Sequence, residues 1–320
     1  MRYLVTGGTG FVGAYVVRDL VREGHEVTVF DLAVNREFLQ EVVGDDPMRH
    51  IKLVSGDVTD LPMIMRLCHE TKPERVVHLA ATLGAGSESN ALRALKVNCE
   101  GTVNIFEAAL AFEVPKVVWA SSIAVFGPTS RRPPGEIANN AFHQPGDLYG
   151  ACKSMNEQFA RHYRRRRNLD STGLRFSVVY GYGKALTATR GTGADFLQEL
   201  IDKPALGEPG VVPHGDELLD WLYVEDASRA VVLATKALGR RSIGLNICGE
   251  RHTIRDVAAA VTKLMPKARI EVQPGTWGGA LRLEMATTEA EIGYRPAITL
   301  ADGLTRNINV LRAKQGMSAI

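Results

Sequence analysis

The chain has almost no net charge, few cysteines and no long apolar run, and each absence removes a class of protein. Its 320 residues carry 38 lysines and arginines against 36 aspartates and glutamates, a formal balance of +2. No long-range field therefore draws it to nucleic acid or to an acidic membrane. The four cysteines, Cys68, Cys99, Cys152 and Cys248, are too dispersed for a zinc or Cys-x-x-Cys arrangement and read as reduced thiols, so no metal is expected. No uninterrupted apolar stretch approaches the ~20 residues that cross a bilayer, and a first strand starting at residue 2 is expected to leave no room for a signal peptide. The expected compartment is the cytoplasm. No repeat or low-complexity segment is evident. A basic run, Arg164-Arg165-Arg166-Arg167, closes a predicted helix, where cations suit the dipole, and reads as a solvated helix end.

What is present starts at once. Tyr3-Leu4-Val5 is short enough to be a buried parallel strand, and Gly7 and Gly8 turn the chain into a helix beginning near Gly10. A second strand, Glu26 to Asp31, ends in a carboxylate. This strand, turn, helix and strand suit a dinucleotide, whose pyrophosphate sits on the helix N-terminus. Gly7 permits the tight turn, Gly10 lets the backbone approach the phosphates and Gly13 lets the helix pack on the strand. The spacing Gly7-x-x-Gly10-x-x-Gly13 is a variant of the G-x-G-x-x-G loop. Asp31 lies where a carboxylate accepts hydrogen bonds from the adenosine ribose, which favours NAD over NADP.

Further strand-like runs at Ile51 to Val54, Arg75 to Ala80, Lys116 to Ala120 and Ser171 to Val178 alternate with helical patterns at Phe11 to Arg22, Leu61 to Glu70, Asn98 to Ala111 and Tyr149 to Arg167. The alternation predicts an α/β fold: a doubly wound parallel-sheet Rossmann domain with a smaller C-terminal α/β substrate domain. Residues 1–178 are expected to form the first, with 217–240 returning to it, and 179–320 the second. Tyr149 and Lys153 fall four residues apart on one helix face. A phenol whose ordinary pKa is about 10 is a poor base at neutral pH. An adjacent ammonium and an oxidised nicotinamide favour the phenolate, letting Tyr149 exchange a proton with a substrate hydroxyl. Lys153 can also hold the nicotinamide ribose, and Ser122 can hold the reacting oxygen.

Further motifs accompany these: Thr6 to Gly13, Gly56-Asp57-Val58-Thr59, His78-Leu79-Ala80-Ala81, Asn98 to Thr102, Ala120 to Gly127, Tyr149 to Lys153 and Asp220 to Asp226. In this order they resemble the extended short-chain dehydrogenases/reductases, specifically the NAD-dependent epimerase/dehydratase family. The resemblance implies a Ser122, Tyr149 and Lys153 triad, adenine contacts from Asp57 and Val58, and Leu79 to Ala81 along the pyrophosphate and ribose. Leu32, Phe11, Val12, Asn98, Phe176 and Ser177 complete the expected cofactor shell with the glycines and Asp31. Thr82, Ser122, Tyr149, Val178 and Arg190 are the expected substrate contacts. The resemblance also implies a homodimer through the helices beginning near Asn98 and Tyr149.

Departures narrow the chemistry. Dehydratases of the family carry an acidic pair just after the catalytic hydroxyl residue, where this chain has Ile123 and Ala124. Leu219 stands where nucleotide-sugar epimerases usually place an arginine, and Val178 where they place an asparagine. Two polar contacts to a sugar nucleotide thus become apolar. The leading expectation is an NAD-dependent dehydrogenase or reductase acting on a secondary alcohol or ketone of a small sugar, sugar acid or hydroxy ketone. A UDP-sugar epimerase with tightly held NAD is the alternative, and a non-catalytic NAD-binding regulator a third reading.

Overall fold

Seven short apolar runs pair side by side in the computed structural model, which describes residues 1–132, 135–187, 195–239, 242–279 and 281–320. In chain order the strands are β1 (Arg2–Thr6), β2 (Glu26–Asp31), β3 (Ile51–Ser55), β4 (Arg75–His78), β5 (Val117–Ser122), β6 (Glu136–Ile137), β7 (Ser171–Phe176), β8 (Val178–Tyr180), β9 (Gly210–Val212), β10 (Leu218–Tyr223), β11 (Gly244–Ile247), β12 (Glu250–Thr253), β13 (Ile270–Val272) and β14 (Arg282–Leu283). Helices of eight or more residues are α1 (Phe11–Arg22), α2 (Arg36–Val43), α3 (Leu61–Thr71), α4 (Gly101–Ala111), α5 (Leu148–Arg167), α6 (Val224–Lys236), α7 (Ile254–Leu264) and α8 (Leu300–Lys314).

The main sheet runs β11-β7-β5-β4-β1-β2-β3, parallel throughout. The strand order reverses between β1 and β4, which opens the crevice where such sheets bind ligands. Helices cover both faces, so strand residues are apolar on both sides: Tyr3 and Val5 pack toward α1 and α6, Leu4 toward α3 and α4. Each fully buried Val or Leu contributes about 1.5–3 kcal/mol. The doubly wound Rossmann fold is present.

The last predicted strand of this series is divided. β7 stays in the main sheet to Phe176, whereas β8 starts at Val178 and pairs with β10 in a three-stranded sheet, β12-β10-β8. At the junction Ser177 N–H donates to Ile247 O at 3.1 Å, so β11 holds the point where the chain leaves the sheet. In the arginine run Arg165, Arg166 and Arg167 are exposed, as a solvated helix end requires, and Arg164 is half-buried. Arg164 donates to the carbonyls of Ser171 and Ser242, and a single guanidinium nitrogen of Arg167 donates to both carboxylate oxygens of Glu107 at 2.7 and 2.9 Å.

Beside the small sheet, burial pushes the Asp220 carboxyl up to about 6, opposed by the Arg251 guanidinium at 3.8 Å. A carboxyl raised by folding costs stability once ionised, so the cost is absent below its ordinary pKa and complete above about pH 6. Asp220→Asn is expected to stabilise the fold by up to about 3 kcal/mol above about pH 7, and to leave its stability unchanged below about pH 4. Thermal unfolding at the two pH values checks this. Among the described residues, no helix is long and apolar enough to cross a membrane.

Candidate active site

The cradle at the end of β1 is built by close backbone approach. Gly7 has φ +69°, and a Cβ there would lie 2.6 Å from Ala80 N. A Cβ on Gly13 would lie 2.0 Å from the Gly7 carbonyl oxygen. Gly10 caps α1 without a side chain, so the unpaired N–H groups of the first turn, at Phe11, Val12 and Gly13, remain available to a ligand. Gly13→Ala is therefore expected to abolish NAD binding in calorimetric titration, because backbone must move to admit one methyl group.

Asp31 closes β2 and is tied back to the loop: Thr9 donates to its Oδ2 from N at 3.0 Å and from Oγ1 at 2.7 Å. Leu32 beside it is exposed. Asp57 accepts from Thr59 N at 3.0 Å and from Arg93 at 3.1 Å. Burial would raise this carboxyl, but the Thr59 hydrogen bonds and the Arg93 charge outweigh it and hold Asp57 below its ordinary value. Thr9 and Arg93 had no signal in the sequence, since each works through a carboxylate that is distant along the chain. Val58 is buried against Gly101. Leu79, Ala80 and Ala81 leave β4 beside the glycine loop, with Leu79 N–H donating to Thr6 O at 3.0 Å.

Asn98 sits in a π-turn, Leu95–Glu100, ahead of α4. Its side chain clasps the backbone of Thr82, accepting from N at 2.8 Å and donating to O at 2.9 Å. Its carbonyl accepts from Asn156 of α5 at 2.8 Å and from Thr102 Oγ1 at 2.6 Å. With its hydroxyl proton so committed, Thr102 accepts from His78 Nε2 at 3.2 Å, and His78 Nδ1 accepts from Thr6 Oγ1 at 2.7 Å. Burial and the Lys153 charge push this imidazole down to about 3, so it is a neutral strut from β1 to Thr102 in the first turn of α4.

Ser122, Tyr149 and Lys153 meet at the carboxyl end of β5. Ser122 Oγ accepts from Ala124 N at 3.1 Å and lies close enough to the Tyr149 hydroxyl to favour its ionised form. Asp147 caps α5 by accepting from Gly150 N at 2.6 Å, which starts the helix one residue before Tyr149. Lys153 donates to Ala120 O at 2.7 Å, and its Nζ lies 5.5 Å from the centre of the Tyr149 ring. Burial lowers Lys153 to about 8. Burial raises Tyr149 to about 12, opposed by the neighbouring Ser122 hydroxyl and reinforced by the Asp147 charge. The expected activation of the phenol by Lys153 is thus not what dominates in the ligand-free site; desolvation is.

Behind this trio lies a network absent from the sequence reading. Glu157, two turns along α5 from Tyr149, accepts from Ser121 at 2.7 Å and takes both prongs of Arg175 at 2.7 and 2.6 Å. His143 lies 3.3 Å from the same carboxylate. Burial would raise Glu157, yet the hydrogen bonds and charges of Arg175 and His143 hold it down to about 2.

Of the remaining expected residues, Phe176 ends β7 and Ser177 follows with its Oγ buried and unpartnered. Val178 is half-buried in β8, Leu219 and Trp221 are core residues of β10, and Arg190 lies outside the described residues. Arg282 faces Glu136 at 3.5 Å on the surface. Among the described residues, no group of histidine, cysteine or carboxylate side chains could hold a metal. The cradle without side chains, the uncapped α1, Asp31 and the orphaned Ser177 hydroxyl together fit a dinucleotide.

Known proteins similar to the chain include epimerases and a dehydrogenase. The chain is 28% identical to UDP-glucuronate 4-epimerase 3 of Arabidopsis thaliana, over 95% of this chain and 74% of that one. It is 29% identical to D-erythronate dehydrogenase of Cupriavidus necator, over 89% and 92%. The crystal structure of a Thermus thermophilus UDP-glucose 4-epimerase in complex with NAD superposes with a TM-score of 0.79 at 28% identity, covering 98% of this chain and 99% of that one. Residues 3–248 match the NAD dependent epimerase/dehydratase family, and the chain belongs to that family.

Proposed function

We propose that the protein inverts a secondary alcohol of a nucleotide sugar, as a 4-epimerase does, with NAD held at the glycine cradle. The observation that carries this reading is the convergence of Ser122, Tyr149 and Lys153 beside that cradle, in a chain similar along 95% of its length to a UDP-glucuronate 4-epimerase. Gly7 to Gly13, Asp31, Asp57 and Ser177 would hold the cofactor, and Lys153 its nicotinamide ribose. When bound, NAD supplies the two-electron acceptor and donor for the substrate carbon. Tyr149 acts as the phenolate, its own proton first lost to solvent: its Oη takes the hydroxyl proton as that carbon becomes a ketone and returns it when the opposite face is reduced. Ser122 Oγ orients the oxygen, with Ala124 N–H fixing the serine. Lys153, protonated at neutral pH with its pKa at about 8, places a positive charge along the phenol. On the same reading two copies pair through α4 and α5.

A second reading, net oxidation of a small hydroxy acid, is favoured by Leu219 and Val178, whose side chains offer no hydrogen bond to a nucleotide handle. The similarity to D-erythronate dehydrogenase supports it. One experiment separates them: incubation with UDP-glucuronate, UDP-glucose or D-erythronate and NAD, followed by ultraviolet absorbance of reduced cofactor and product chromatography. An isomerised UDP-sugar without net cofactor reduction supports the first reading. Cofactor reduction in step with D-erythronate consumption, with both UDP-sugars returned unchanged, replaces it by the second.

A further inference from the structure

The segment just past β8 carries a cation that the site as described does not use. Lys184 is half-buried, and its ammonium lies 5.5 Å from the centre of the Phe11 ring. Phe11 is the first residue of α1, whose uncapped N-terminus is where the cradle receives an anion. Among the described residues, no carboxylate pairs with Lys184 and no acceptor lies within hydrogen-bonding reach of its Nζ. Burial alone acts on it, lowering its pKa. The ammonium's contact is the aromatic face of Phe11, which accepts no hydrogen bond, so the half-buried ammonium keeps its three N–H donors for an anionic ligand.

The lysine is also held in place. Gly181 and Gly183 have φ of +139° and +100°, and a Cβ on Gly183 would lie 2.2 Å from the Phe38 ring. Tyr15 of α1 donates to the Tyr182 carbonyl at 3.1 Å. Glu41, the acid this segment does reach, is occupied by the Tyr182 hydroxyl at 2.7 Å and by Lys314 at 2.6 Å. The segment is thus pinned to α1 and α2 while, among the described residues, its ammonium makes no hydrogen bond or ion pair.

We propose that Lys184 is an anion clamp, whose ammonium receives a phosphate or carboxylate oxygen of a ligand lying against the first turn of α1. The inference rests on the family's use of a dinucleotide and not on the choice between epimerase and dehydrogenase. Two sources share this chemistry: the pyrophosphate of NAD, and an acidic or phosphate group of the substrate. A charge-assisted contact of this kind is expected to change affinity by about 10- to 100-fold.

The test measures the acetylation rate of Lys184 by mass spectrometry in the wild-type protein, alone and with inorganic phosphate, NAD, UDP-glucose, UDP-glucuronate or D-erythronate. Calorimetric titration of the wild type, Lys184→Met and Lys184→Arg accompanies it. Protection by NAD, with at least about tenfold weaker NAD binding in Lys184→Met and recovery in Lys184→Arg, assigns the clamp to the cofactor. Protection of the NAD-saturated protein by both UDP-sugars assigns it to substrate phosphate. Protection by UDP-glucuronate or D-erythronate but not UDP-glucose assigns it to a substrate carboxylate. Labelling unaffected by any of these anions, inorganic phosphate included, overturns the proposal. Failure to bind either UDP-sugar counts against the epimerase reading alone, since the phosphate and NAD arms still decide the role of Lys184.

Discussion

Tyr149→Phe is expected to lower turnover by about 10²- to 10⁴-fold while leaving NAD affinity within about twofold of the wild type. The phenol is the proton-transferring group of the trio, and the substitution removes one oxygen from a ring whose packing on Lys153 is otherwise retained. The pH dependence supplies a second readout. Burial holds Tyr149 at about 12 in the ligand-free protein, so its proton becomes harder to release as pH falls. The wild-type oxidation rate should decline toward acid, and that limb should vanish from the residual rate of the phenylalanine variant. Steady-state kinetics across pH, with NAD binding followed by calorimetry, checks both parts. Full activity in Tyr149→Phe would remove the mechanism.

Glu157→Gln is expected to destabilise the fold by about 3–5 kcal/mol, because it leaves the Arg175 guanidinium charged and buried without its counter-ion. In a domain of this size that is a fall in melting temperature on the order of 10 °C. The pH dependence follows from a carboxyl lowered by folding to about 2. Its stabilising contribution is complete above the ordinary glutamate pKa, about 4.3, and is lost as pH falls toward about 2. The wild type should therefore lose stability through that interval, while Glu157→Gln, already destabilised, should lose less. Differential scanning calorimetry at several acidic pH values measures it. Ser121 shares the carboxylate and precedes Ser122, so the same variant should also reduce turnover at temperatures where it remains folded.

What the sequence reading captured was local. Gly7, Gly10 and Gly13 lie within one turn and one helix start, and Tyr149 and Lys153 are neighbours on one helix face, so spacing alone aligned them. The parallel sheet was legible for a similar reason, since each strand is a short apolar run flanked by a helix. What escaped it was long-range pairing. Arg93 reaches Asp57 from 36 residues away, Asn156 reaches the Asn98 carbonyl across 58, and Arg175 meets Glu157 only because β7 runs behind α5. The division at Ser177 was illegible because it depends on β11, some 70 residues later, holding the backbone there. The direction of the Lys153 ammonium is likewise a matter of where the Ala120 carbonyl falls.

β11 has a consequence for synthesis. It is the outer neighbour of β7, bonded from Gly244–Gly173 to Ile247–Phe176, yet it leaves the ribosome 68 residues after Phe176. At 5–20 residues per second, a nascent chain would display the unpaired edge of β7 for roughly 3–14 s. During that interval the emerging Rossmann half is a template for strand addition by neighbouring chains, a hazard that ends when Gly244–Ile247 docks. Slowed translation between these two strands should therefore lower the soluble yield of a protein whose finished sheet offers β7 no free edge.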